Sequence, residues 1–73
     1  MPKAWWKIPK IRSAYNLGNA YYRSGSYSKA AESFQKATGG PDLALREQSF
    51  YNLGNSLYKA GEWEKAVPAY ERP

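Results

Sequence analysis

The carboxylates of this chain are Glu32, Asp42, Glu47, Glu62, Glu64 and Glu71, and no histidine or cysteine accompanies them. Without histidine the chain lacks the side chain best suited to proton transfer near neutral pH. Without cysteine it forms no disulfide, does no thiol redox chemistry and builds no Cys-based zinc or iron–sulfur site. The six acids fall at no metal-ligand spacing. Most sit on solvent faces or near helix starts, where solvation and the helix dipole account for them. The two Leu-Gly-Asn stretches at 17–19 and 53–55 lie inside helical patterns and follow no strand, so they are not phosphate loops. No enzyme activity, cofactor or metal is expected. Another set of side chains recurs instead. Tyr15, Asn19, Tyr22 and Arg23 are matched 36 residues later by Tyr51, Asn55, Tyr58 and Lys59. Tyrosine offers a rigid amphipathic surface at low entropic cost. Asparagine can donate to and accept from a peptide backbone, and a base attracts carboxylates. That is recognition chemistry. The same residues also suit packing: the tyrosines as half-buried fillers, Asn19 and Asn55 as bonds between neighbouring first helices.

The elements that carry them form an internal repeat. Residues 14–37 and 50–73 are identical at nine of 24 aligned positions, at an offset of 36. A period of this size marks stacked supersecondary units. Each unit divides at a glycine, giving helices over 11–24 and 26–38 and over 45–60 and 62–72. Ala14, Leu17, Gly18 and Tyr21 recur at three- and four-residue steps, as do Ala30, Phe34 and Ala37, which is the spacing of one helical face. Gly25 and Gly61 supply the turns between antiparallel helices. Ser26 is placed to cap the helix after it. Gly18 and Gly54 are expected to let the helices of each hairpin approach closely, with Ala30 and Ala66 opposite. Tyr21, Phe34, Leu57 and Tyr70 then fill the remaining gaps. Thr38-Gly39-Gly40-Pro41-Asp42 ends the first unit, and the chain turns into its next helix near Leu43. The fold class is all-α: four helices in two stacked antiparallel hairpins. Residues 1–10 form a basic aromatic tail, 11–40 a first repeat and 41–73 a second.

The pattern of Leu17, Gly18, Tyr21, Gly25, Tyr27, Ala30, Phe34 and Ala37, repeated as Leu53, Gly54, Leu57, Gly61, Trp63, Ala66 and Tyr70, resembles the tetratricopeptide repeat. The resemblance covers nearly everything after residue 11. It departs from the family in its period of 36 against the usual 34, with the extra residues expected around 39–42. The second unit lacks a closing alanine and carries Pro68 inside its last helix, where a backbone hydrogen bond is lost. A fragment of a longer repeat protein, or a chain completed by a second copy, is the expectation. The resemblance implies a protein- or peptide-binding scaffold. Its concave face would be lined by Arg12, Tyr15, Asn19, Tyr22 and Arg23 and by Gln48, Tyr51, Asn52, Asn55, Tyr58 and Lys59. The bases would favour an acidic segment or a terminal carboxylate. Asn19 and Asn52 match two asparagines of the family's carboxylate clamp. Tyr15 stands where the clamp has a lysine, so a whole clamp is not expected.

Composition sorts the partners. The net charge is +5, yet Lys3, Lys7, Lys10 and Arg12 supply four of the bases within twelve residues. Residues 13–73 hold seven bases and six acids, a nearly neutral body that argues against nucleic-acid binding. No run reaches the roughly 18 apolar residues of a membrane span. The absence of cysteine suits a reducing compartment such as the cytoplasm. Trp5, Trp6, Ile8 and Ile11 with interleaved lysines admit three readings: contact with a membrane surface, packing over a hairpin or a second subunit, or a linker. Some bacterial membrane-associated proteins carry similar repeat segments, which keeps a membrane-associated parent open. Self-association through the terminal helix or the tail is the expected alternative to a separate peptide ligand.

Overall fold

The computed structural model describes residues 7–71, with side chains from Lys10 onward. The predicted roles of Trp5, Trp6 and the Ile8 side chain, and of Pro73, lie outside the described residues. Helices α1 (Lys7–Arg23), α2 (Tyr27–Ala37), α3 (Leu43–Lys59) and α4 (Trp63–Glu71) follow one another. Each packs chiefly on its neighbour in sequence, α1 on α2, α2 on α3 and α3 on α4. This is the stacked pair of hairpins that the repeat predicts.

The two hairpin turns are built alike. Gly25 and Gly61 adopt φ of 86° and 84°, a region that side-chain-bearing residues rarely occupy. The Gly25 N–H then donates to the carbonyl of Tyr22 and the Ser26 N–H to that of Tyr21. The Gly61 N–H donates to Tyr58 and the Glu62 N–H to Leu57. These paired bonds are the Schellman motif, which satisfies the last carbonyls of α1 and α3. Ser26 differs from expectation. It stands at the N-cap of α2, but its side chain makes no capping bond, and its carbonyl accepts from Ala30.

The linker Thr38–Asp42 follows other rules. Neither Gly39 nor Gly40 has positive φ, so the glycines do not end α2 by a left-handed turn. Thr38 closes the helix in right-handed geometry, and its hydroxyl donates to the Gln35 carbonyl at 2.6 Å. Gly40 is required for space, since a Cβ there would lie 2.8 Å from the Ile11 side chain. Asp42 then caps α3 by accepting from the Leu45 N–H at 3.2 Å.

α1 starts at Lys7, so residues 7–10 of the predicted tail are helical. Pro9 is compatible with this because the first turn of a helix has no intrahelical use for its N–H groups. Pro68 sits inside α4, which continues to Glu71 despite the missing donor.

The core is one cluster of Ala30, Ala31, Phe34, Leu53 and Ala69, with Tyr15, Tyr21, Tyr22, Phe50 and Leu57 packed around it. The glycines of the first helices permit close packing, and the nearest atoms to each belong to an aromatic ring. A Cβ on Gly18 would fall 2.8 Å from the Phe34 ring, and one on Gly54 2.7 Å from the Tyr70 ring. Ala30 and Ala66 are both buried. Ser49 and Ser56 are fully buried and return their hydroxyls to the carbonyls of Leu45 and Asn52. Leu17, expected on the packed face, is half exposed.

Candidate functional site

α1 and α3 are linked by a side-chain hydrogen bond, and the predicted residues fall into two groups. The first sits at the junction of the hairpins. Tyr15 of α1 packs edge-on against Phe34, ring centroids 5.7 Å apart, and its hydroxyl accepts from the Asn52 amide at 3.2 Å. The bond between first helices therefore uses Asn52, where the sequence suggested Asn19 or Asn55. It ties the register of one repeat to the next, and it occupies one of the two asparagines that matched the carboxylate clamp.

The second group is a tyrosine surface drawn from three helices. Tyr51 and Tyr58 of α3 are each more than half exposed. Tyr70 of α4 packs edge-on against Tyr51 at 5.9 Å and donates its hydroxyl to the Asn55 side chain. Burial, and then the nearby phenols of Tyr51, Tyr22 and Tyr58, raise the Tyr70 hydroxyl above its ordinary value near 10. Tyr22 and Tyr58 are steadied at their bases by the turns. Tyr22 meets Tyr27 at 5.1 Å, and Tyr58 meets Trp63 at 6.3 Å. The Trp63 indole N–H also donates to the Tyr58 carbonyl at 3.1 Å.

Tyr70 is the member that sequence reasoning assigned to gap filling. The signal was the change from Phe34 to Tyr70 at equivalent positions. A hydroxyl gained on an otherwise conserved ring needs a partner or water. Here it reaches Asn55 and places the ring edge on the tyrosine surface.

The remaining predicted residues are spread along the same two helices. Arg23 and Lys59 are exposed in the last turns of α1 and α3, and Asn19 is half-buried. Gln48 is exposed near the start of α3. Arg12 sits apart, with its guanidinium 3.9 Å from the Asp42 carboxylate beside the linker. Both partners are at least half exposed, so this pair contributes little to stability.

A depression lies elsewhere. A furrow of about 630 Å³ runs between α2 and α4 over Phe50, Leu53 and Leu57, and none of the predicted site residues lines it. Its floor includes Ala31, Leu53 and Ala69, all nearly inaccessible, so a ligand there would touch little of them. The tyrosine surface offers far more reachable ring area. Among the described residues no group of three acidic, histidine or cysteine side chains could hold a metal ion. No helix among them is long and apolar enough to cross a membrane.

Comparison with known proteins agrees with this architecture. Searches of curated proteins and of solved structures returned no match. Two family models, each described as a tetratricopeptide repeat, match residues 11–38 and 49–72. These ranges reproduce the two hairpins, and the chain belongs to the tetratricopeptide-repeat family.

Proposed function

We propose that the chain is a peptide-binding module whose ligand lies along the tyrosine surface of α1 and α3. Tetratricopeptide repeats generally mediate protein–protein interaction or scaffolding, and the family is non-catalytic. The single observation that carries the finer reading is that Tyr70 of α4 packs edge-on against Tyr51 and donates its hydroxyl to Asn55, which shares a face of α3 with Tyr51 and Tyr58 at four- and three-residue spacing. Rings anchored at one edge present flat surfaces with little entropy left to lose. Asn55 accepts from Tyr70 through its carbonyl, which leaves its amide hydrogens to donate to a peptide carbonyl. Arg23 and Lys59 stand at the same end of their helices and favour a ligand carrying carboxylates. Tyr15 and Asn52 form the floor between the repeats.

Selection of peptides from a displayed random library against the whole chain tests this. Selected sequences should be rich in acidic residues. Tyr51→Ala and Tyr58→Ala should each weaken the best of them by about tenfold or more, as central aromatic anchors do. Glu32→Ala, in the furrow, should leave binding unchanged. Binding lost with Glu32→Ala and retained in both tyrosine variants would overturn the reading.

A further inference from the structure

The internal repeat also serves as a template for contacts that the two ends of the molecule do not make within one chain. α3 seats its Leu53 on Ala31 and Phe34 of α2, and these three residues are 7%, 6% and 1% exposed. At the repeat-equivalent positions Leu17 on α1 is 48% exposed, and Val67 and Tyr70 on α4 are 55% and 42% exposed. The flanking residues follow suit. Ser49 and Ser56 of α3 are fully buried, while their counterparts Ser13 and Ala20 on α1 are exposed. Asn52 donates to Tyr15, while Asn16 and Tyr51, their counterparts, are both exposed. One end of the molecule therefore carries the α3-type plug, and the other carries the α2-type socket.

We infer that a second copy of this chain docks head to tail, with α1 of one copy on the α3–α4 end of the next. Leu17 takes the place of Leu53 over Val67 and Tyr70 of the neighbour. Asn16 takes the place of Asn52 and donates to the Tyr51 hydroxyl. Charge favours this pairing over plug on plug: α1 carries four basic residues and no acid, whereas residues 43–71, which form the socket end, carry four acids against three bases. The interface is heterologous, so its repetition yields an open chain of molecules and not a closed dimer. The docking shares Tyr51 and Tyr70 with the proposed peptide site, whereas Leu17 and Val67 lie outside it, so substitutions at those two positions test the docking separately from the peptide site.

Sedimentation of the whole chain across a concentration series tests it. The mass should rise past that of a dimer without a plateau. Leu17→Glu and Val67→Glu replace exposed side chains and should keep the helical circular dichroism spectrum. Each should sediment as a monomer alone. Mixed, they should form a one-to-one pair and no more, because one intact plug meets one intact socket. A wild type that stays monomeric at its highest soluble concentration would overturn the inference. So would association that survives in either variant, a plateau at a dimer, or failure of the mixed variants to pair.

Discussion

Adding one methyl group to Gly18, and in a separate variant to Gly54, sets helix propensity against packing in two nearly identical places. Glycine to alanine inside a helix favours folding by about 1 kcal/mol. Against this, the new Cβ at Gly18 would lie 2.8 Å from two atoms of the Phe34 ring. Phe34 is almost wholly buried, sits in the central cluster and is held edge-on by Tyr15, so it has nowhere to move. Overpacking of this kind costs about 1–3 kcal/mol. Because Phe34 cannot move, the cost falls at the upper end of that range, and the net expectation for Gly18→Ala is a loss of about 1–2 kcal/mol, which for a domain of this size lowers Tm by roughly 4–16 °C. At Gly54 the clash is with the Tyr70 ring at 2.7 Å, but Tyr70 is partly exposed and can swing toward solvent. Gly54→Ala should therefore fall within about 1 kcal/mol of the wild type, with propensity offsetting the displaced ring. Thermal melts followed by far-UV circular dichroism decide the matter. In a Phe34→Leu background the Gly18→Ala penalty should shrink or reverse. A Gly18→Ala variant that melts at or above the wild type would refute the claim that ring-on-glycine contact sets the hairpin spacing.

Other consequences are more local. Asn52→Ala should remove the bond to Tyr15 and cost about 1 kcal/mol in chemical denaturation, while Gln48→Ala, exposed one turn earlier, should cost almost nothing. Pro68→Ala restores a helix donor toward Glu64 and should stabilise the chain by about 1–3 kcal/mol in the same assay. Tyr70 is raised in the folded state above its unfolded value near 10. The unfolded chain thus loses that proton first, and stability falls as pH rises from about 10 through the folded value. The alkaline limb of a Tm-versus-pH curve should be shallower in Tyr70→Phe than in the wild type.

What could be read in the sequence were features set by local geometry. Gly25 and Gly61 marked their turns because only a left-handed residue closes the paired bonds back to residues 21 and 22 or 57 and 58. Asp42 marked the start of α3 through its cap to Leu45. What could not be read depended on neighbours. Leu17 and Leu53 are the same residue in the same local pattern, yet one is exposed and one buried, because among the described residues α3 packs that face on α2 and no element packs the corresponding face of α1. The tail of residues 1–10 read as separate from the first helix, yet α1 begins at Lys7, since Pro9 in a first turn displaces no intrahelical bond. Ser26 had the right type for a cap, but its backbone at φ −88° and ψ 70° lies outside the extended geometry of a capping residue, and its side chain makes no capping bond. On the candidate surface, the recurring tyrosines were legible from spacing. The pairing of Asn52 with Tyr15 and of Asn55 with Tyr70 was not, since it depends on which helix each amide faces across the stack.

The most direct test of the peptide-binding reading is an amide-resolved NMR titration of the chain with a library-selected acidic peptide. The reading predicts shifts concentrated at Tyr22, Tyr51, Asn55, Tyr58 and Tyr70, with Ala31, Leu53 and Ala69 in the furrow unmoved. Shifts centred on Ala31, Leu53 and Ala69, with the tyrosine surface silent, would contradict it.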